Sequence, residues 1–505
     1  MLDVLIVTAP FTYTFGPSLA PALLKSCAEE KGLTAKAWDL SAEFNYHYQT
    51  HQYYDKVVAW MTDPQVLLTA LEFNWYSEIV GDYADRIIKI YNPTWLAVSV
   101  LSMSSQRFAE DLCYHVKKQS NIKILIGGSG LNIFQYQYQK KWYQLMLDSG
   151  LGDTVIIGEG EIELPNAIIN NVNGVVTAPQ LTNKQLDEIP FPNYNDYDFN
   201  FYSSTNNRTY WTKEKNNSEL VFLITGSKGC VKSCNFCDVA DIWAKYRVRS
   251  GQRVADEIMY LHRTYQINLF NFTDSLINGG LKPFLDMNVI LADTLPNTIK
   301  YEGQFICRGE KDMPEKYFKA MALAGCHKVQ IGIESGSESV RIRMGKGSSD
   351  ADLDHSTRML CKYNIRQDWN IITGYPSETE DDHQNTMSTI KHYLNTSNGL
   401  LDIIPRGVFL LIEGSPMMSP TYFGEFGLEQ EIVNGHGSFI WTSEINPTNT
   451  FDRRVARFEE LCDFLISFNE SQYGYLRKML AALHLKLNIY NEHVKTKKIF
   501  KLSTN

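Results

Sequence analysis

Within the segment GCVKSCNFC the chain places Cys230, Cys234 and Cys237, a C-x3-C-x2-C spacing. Three thiolates this close together can wrap one side of a metal centre. A structural zinc site would need a fourth ligand, usually a Cys or His at short spacing. Downstream, the nearest histidine is His262 and the next cysteine is Cys307. A cubane iron–sulfur cluster held by three cysteines instead leaves one iron open to a non-protein ligand. Gly229, Lys232, Ser233 and Asn235 make the segment a polar loop rather than a run of inert buried thiols. Cluster binding is the expectation.

The loop follows LVFLITGS (220–227), the first of six apolar runs that read as strands. The others are LFNFTDS (269–275), YEGQFIC (301–307), KVQIGIES (328–335), QDWNIITG (367–374) and GVFLLI (407–412). Helical stretches lie between them at 251–265, 281–293, 312–324, 350–363 and 379–394. Six βα repeats without a seventh or eighth predict a partial parallel barrel over 219–425, with function at the carboxyl ends of its strands. Residues 1–170 also alternate strands and helices, and their strands are continuous apolar runs ending in Gly or Ser. That pattern predicts an α/β, doubly wound Rossmann-like domain, with a ligand at its strand carboxyl ends. The stretch 44–92, rich in Tyr, His and Trp, reads as a helical lid or as an ordinary embellishment. Residues 171–218 read as a linker. Residues 426–505 read as a helical C-terminal region, with a basic tail between Arg477 and Lys501 that is a solvated helix end or an anion contact.

The cysteine triplet is one of several ordered segments. In sequence order, TGSKGCVKSCNFC is followed by YRVRSGQRVADEI, FNFTDSLING and FICRGEKDMPEKYFKAMALAGC, then by VQIGIESGSESVRIRMGKG and IITGYPSETEDD. Together they resemble the radical SAM superfamily. The resemblance implies a 4Fe-4S cluster whose open iron is chelated by the amino and carboxylate groups of S-adenosylmethionine (SAM). Electron transfer then cleaves the sulfur–C5′ bond and releases a 5′-deoxyadenosyl radical. It implies a flavodoxin- or ferredoxin-type electron donor as partner. By the same resemblance Phe236 lies beside the adenine, and Asp274 and Ser275 bind the methionyl amine. Glu334 and Ser335 fit a ribose or carboxylate contact, and Arg308 and Lys346 are carboxylate partners. A ligand with one carboxylate, one ammonium and two hydroxyls needs such a mixture.

In the N-terminal region Ser99 and Leu101 end one strand, and Gly127 and Gly128 end the next. With the leading APFTYTFGPSLAPALL, the trailing VIIGEGEIELP and the junction LDEIPFPNY, this pair resembles the cobalamin-binding domain of a large radical SAM subclass. Small residues would let the backbone approach a flat macrocycle, and the Ser hydroxyl could bond its nucleotide tail. The resemblance adds Tyr13 and Gly16 to the site. Cobalamin domains that ligate cobalt from below carry D-x-H-x-x-G, but here the loop reads FTYTFG, with no Asp and no His. Cobalamin without a protein imidazole and a degenerate domain that binds nothing both stay open. Only Cys27 and Cys113 precede residue 230, which argues against a methylthiotransferase with a second N-terminal cluster. Only Cys462 lies beyond Cys361, which excludes a cysteine-rich C-terminal cluster domain.

Composition sets the frame. A chain of 505 residues has room for about three domains. At 44% hydrophobic and 21% charged it is neither disordered, collagen-like nor coiled coil. A net charge of −9 argues against non-specific nucleic-acid or anionic-membrane binding. The start MLDVLIVTAP lacks a signal-peptide n-region, no apolar run is long enough to span a bilayer, and nine cysteines are an uneven set for a disulfide framework. A cytoplasmic protein is expected. Three functions follow: a cobalamin-dependent radical SAM methyltransferase; a radical SAM rearrangement, cyclisation or oxidation enzyme with a non-cobalamin first domain; or a non-catalytic iron–sulfur redox sensor. The substrate is unknown from sequence.

Overall fold

The computed structural model describes residues 1–11, 16–63, 66–135, 139–202, 220–430 and 440–488. The chain divides into two compact units, residues 1–224 with 257–271, and residues 225–256 with 272–505.

The first unit is built on six strands: β1 (Leu2–Thr8), β2 (Ala35–Trp38), β3 (Pro93–Ser99), β4 (Lys123–Gly127), β5 (Thr154–Ile157) and β6 (Gly174–Thr177). All pair in parallel, in the order β2-β1-β3-β4-β5-β6. The order reverses between β1 and β3, where a doubly wound sheet opens a ligand crevice. Strand β6 comes from the stretch read as a linker.

Both faces of this sheet are buried, which is why its strands read as unbroken apolar runs. Leu5 and Val7 of β1 face one way and join Phe44, Val57, Tyr76, Val80 and Tyr83 in a single core. Val4 and Ile6 face the other way, against Ala28, Leu164 and Ala167 of the helices Leu19–Glu30 and Gly160–Ile169. The stretch 44–92 is therefore not a lid. Its helices Leu40–Tyr48, Tyr54–Thr62 and Ala70–Arg86 supply one of the two covering layers. The longest starts on a capping box, Thr69 with Glu72, the arrangement that satisfies two orphan N–H groups at once.

The second sheet runs in simple sequence order: β7 (Val221–Ile224), β8 (Leu269–Phe272), β9 (Lys300–Phe305), β10 (Cys326–Glu334), β11 (Arg366–Thr373) and β12 (Leu401–Val408). Strands β9 to β12 are paired in parallel. Odd-numbered side chains of β9 to β11 pack toward helices: Phe305 meets Phe318, and Trp369 meets Tyr393. Val329, Ile331 and Ile333 of β10 are buried with them. The sequence predicts the last strand at 407–412, but it begins at Leu401. Pro405 obscures it, and the strand tolerates that proline because β12 is a sheet edge with no second neighbour to bond.

Beyond the barrel strands, Leu428–Gln430 pairs antiparallel with Trp441–Ser443. Helix Phe451–Phe468 and helical residues 476–488 follow. No helix among the described residues is long and apolar enough to cross a membrane.

Candidate functional site

The cysteine loop grows from a short antiparallel pair, Ser227–Lys228 with Arg247–Val248. At its root Gly229 has φ +84°, and a Cβ there would lie 2.8 Å from the Lys245 carbonyl oxygen, so only glycine fits. Cys230, Cys234 and Cys237 are free thiols at intermediate exposure. Among the described residues no three Cys, His, Asp or Glu side chains converge to hold a single metal ion. A cubane asks for something else, since each of its thiolates binds a separate iron.

Asn235, between two of the cysteines, ties the loop down. Its backbone N–H donates to the Met344 carbonyl at 3.0 Å, and its Nδ2 donates to the Arg343 carbonyl at 2.8 Å and to the Tyr375 hydroxyl at 2.9 Å. Its carbonyl accepts from the Met417 N–H at 2.6 Å. Gly345, at φ +72°, lets the loop close on this turn, because a Cβ would sit 3.0 Å from the Ser233 carbonyl oxygen. Sequence reasoning saw Asn235 only as a sign of polarity and did not see Tyr375. The sole clue was a lone amide inside the triplet.

Four of the expected residues meet beside the loop: Cys234, Phe236, Glu334 and Lys346. The Glu334 carboxylate accepts from Lys346 Nζ at 2.9 Å, and both side chains are largely buried. Lys346 Nζ also lies 5.9 Å from the centre of the Phe236 ring. Gly332 makes the room, since a Cβ there would stand 2.2 Å from Glu334 Oε1 and 2.6 Å from Lys346 Nζ. Glu334 itself has φ +67° and follows a β-bulge at the end of β10. A non-glycine residue held in that region costs about 1–3 kcal/mol, and such strain gathers at functional sites.

The electrostatics follow from burial and proximity. Burial pushes the Cys234 thiol up to about 11, with Lys346 pulling the other way; burial raises Cys237 as well. Burial alone would lower Lys346, but Glu334 and the neighbouring thiols reverse this and hold it above the usual lysine value. A thiol must lose its proton to bind iron. The Lys346 ammonium is the fixed cation that favours that loss.

Three of the four remaining residues, Asp274, Arg308 and Ser335, bond neighbouring protein groups. Asp274 is buried and accepts from the Gly226 N–H at 2.8 Å and the Ser227 hydroxyl at 2.6 Å, bracing the root of the cysteine loop. Burial raises its carboxyl to about 7 against those hydrogen bonds. Ser275 is half-buried. Arg308 donates through Nη2 to the carbonyls of Asn278 and Gly279, both at 3.2 Å. Ser335 is fully buried, and its hydroxyl pairs with that of Thr386 at 3.0 Å.

In the first unit, Thr8, Ser99 and Gly127 stand side by side at the carboxyl ends of β1, β3 and β4. Nothing lies within 4 Å of where a Gly127 Cβ would be. Leu101 is 57% exposed, which is unusual for a leucine following a buried strand. Gly128 has φ +113°, and a Cβ would strike the Val100 carbonyl oxygen at 2.3 Å, so this turn needs glycine. The result is an open floor of small residues, which fits a flat macrocycle. Gly16 is different: its Cβ would lie 1.7 Å from the Val221 carbonyl oxygen, so it serves close packing. Tyr13 lies outside the described residues.

Residues 224–390 match the Radical SAM superfamily model. An uncharacterized methyltransferase of Pyrococcus horikoshii is 27% identical over 261 residues, covering 47% of this chain and 52% of that protein. The chain spans about half the length of the curated relatives it matches. Among solved structures, the radical S-adenosylmethionine methyltransferase TsrM from Kitasatospora setae, with cobalamin and a 4Fe-4S cluster bound, is 14% identical with a TM-score of 0.57. It aligns over 90% of this chain and 85% of its own. The cobalamin-dependent S-adenosylmethionine radical enzyme OxsB aligns over 96% of this chain and 72% of its own, at 14% identity and a TM-score of 0.62. At such identity the likeness is one of fold: a doubly wound domain and a partial barrel occur together in all three.

Proposed function

We propose that this chain, whose residues 224–390 form a radical SAM domain, is a cobalamin-dependent methyltransferase. When bound, the cluster and SAM would supply one-electron cleavage to a 5′-deoxyadenosyl radical, and cobalamin would supply a methyl carrier for an unactivated carbon or phosphorus centre. Cys230, Cys234 and Cys237 would hold three irons and leave the fourth for SAM. Lys346 offsets the charge of the thiolates and, with Glu334, offers one cation and one anion to the polar ends of SAM. Phe236 gives the adenine an apolar wall. Behind it Tyr375, Phe409 and Met417 form a buried cluster that keeps water from the loop. Ser99, Leu101, Gly127 and Gly128 would form the floor for the corrin. An electron donor of flavodoxin or ferredoxin type would complete the system.

The observation that carries this reading is the meeting of Cys234, Phe236 and the Glu334–Lys346 pair on a loop anchored by Asn235. The test is the ultraviolet–visible spectrum of protein purified without oxygen after expression with excess cobalamin. Cluster and corrinoid bands together are expected. A spectrum with neither would refute the reading, and cluster bands alone would favour the rearrangement, cyclisation or oxidation chemistry instead.

A further inference from the structure

The face of the second sheet that turns away from the helices carries a row of polar side chains across four strands. Gln304 on β9 donates through Nε2 to Gln330 Oε1 on β10. Gln330 Nε2 donates to Asn370 Oδ1 on β11 at 3.3 Å. Arg406 on β12 donates through Nε to the same oxygen at 2.9 Å. An arginine Nε–H can only donate, so the Asn370 atom facing it must be the oxygen. That choice orients every amide in the row, and all donors run toward Asn370 Oδ1. The Asn370 amide nitrogen is left with two N–H groups and no acceptor among the described residues, although Asn370 is only 7% exposed.

A second feature points the same way. Arg406 is the extra residue of a β-bulge: Ile371 pairs with Pro405 and Ile372 with Gly407. Bulges re-aim a side chain and gather beside active sites. Here the bulge delivers a guanidinium to the row. One step toward the strand starts, Lys328 lies 2.7 Å from Glu302 and 3.7 Å from Asp368, and the buried Asp402 of β12 stands in register with Asp368. One step toward the strand ends, two residues or roughly 7 Å along β10, the Glu334–Lys346 pair covers Gly332.

We propose that this row binds an anionic, acceptor-rich group of the substrate, a carboxylate or a phosphonate, through Arg406 and the Asn370 amide N–H. The substrate then carries an anionic end that sits one tier below the SAM-side pair. The placement relative to the reacting atom rests on the radical SAM reading; the anion site does not.

The test uses the full-length reconstituted protein saturated with SAM and ligand-observed NMR titration of methylphosphonate, acetate and methylammonium. At least one of the two anions is expected to bind and methylammonium is not; the better anion identifies the source of the charge. Arg406→Gln and Asn370→Asp should each weaken anion binding by about tenfold or more, the scale of one charge-assisted hydrogen bond, and Arg406→Lys should restore part of it. Unfolding temperature and iron content of each variant report folding. No anion binding by the wild type, anion binding unchanged in both variants, or preference for methylammonium would overturn the proposal. Release of 5′-deoxyadenosine from the same samples separates the two readings. Cleavage without anion binding defeats only the anion site, and Arg406-dependent anion binding without cleavage defeats only the radical SAM assignment.

Discussion

The cysteine loop and the carboxyl edge of the first sheet are both candidate cofactor sites, but they are built by opposite means. The loop is held largely by side chains, with Asn235 tied to four partners and the Glu334–Lys346 pair placed against a strained backbone. At the sheet edge Ser129 Oγ and Gln106 Nε2 brace the turns by donating to the Leu101 and Gly130 carbonyls, and the main feature is the open space over Gly127. A site that must bind iron needs fixed, oriented donors. A site for a flat macrocycle needs space. Point changes should therefore damage the first by removing atoms and the second by adding them.

The largest effect is expected at the thiols. Replacing Cys230, Cys234 or Cys237 with Ala should abolish cluster absorbance and SAM cleavage, measured as iron content and 5′-deoxyadenosine. Four irons per chain in the triple variant would break the comparison at its root. Asn235→Ala should come next. It removes two side-chain hydrogen bonds, each about 1 kcal/mol or more when buried, so iron retention should fall while circular dichroism stays that of a folded protein. Full iron occupancy would show that the loop needs no anchor.

At the sheet edge the sign reverses. Gly127→Val should leave the unfolding temperature nearly unchanged and expel corrinoid, because the added atoms enter open space. Gly16→Ala should lower the unfolding temperature instead, since its Cβ meets the Val221 carbonyl. Equal behaviour of the two variants would erase the distinction between an open floor and a packing glycine.

The smallest effect is a pH dependence. Asp274, with a folded-state value of about 7, binds a proton that an unfolded chain releases near the ordinary 3.8. Between those values the folded state holds more protons, so its stability should fall as pH rises from about 4 to 7. Asp274→Asn should flatten that slope in thermal unfolding. An unchanged slope would remove Asp274 from the loop root.

Much of this was legible in the chain because the signals are local. The cysteine spacing, the glycines and five of the six barrel strands lie in continuous segments. The sequence places strand β12 too late because Pro405 reads as a breaker unless the strand is known to be an edge. Asp274, Arg308 and Ser335 stand at strand ends as the resemblance implies, but a sequence does not say which neighbour a side chain will bond. Burial gave Asp274 to Gly226 and Ser227, and Ser335 to Thr386. For the 44–92 helices the sequence leaves a lid and an ordinary embellishment open, and the core packing removes the lid. Their aromatic residues look like a ligand lid until Tyr76 and Tyr83 are found in the same core as Leu5 and Val7.

The central claim is that the loop prepares an open iron for SAM, with Glu334 and Lys346 holding its polar ends. The direct measurement is 5′-deoxyadenosine released on reduction of iron-loaded wild type and Glu334→Gln, with SAM affinity measured on the same samples. The wild type should release it, and Glu334→Gln should keep its iron while binding SAM about tenfold more weakly, as expected for one lost charged contact. Iron-loaded wild type that leaves SAM intact, or a variant with unchanged affinity and release, would contradict the account.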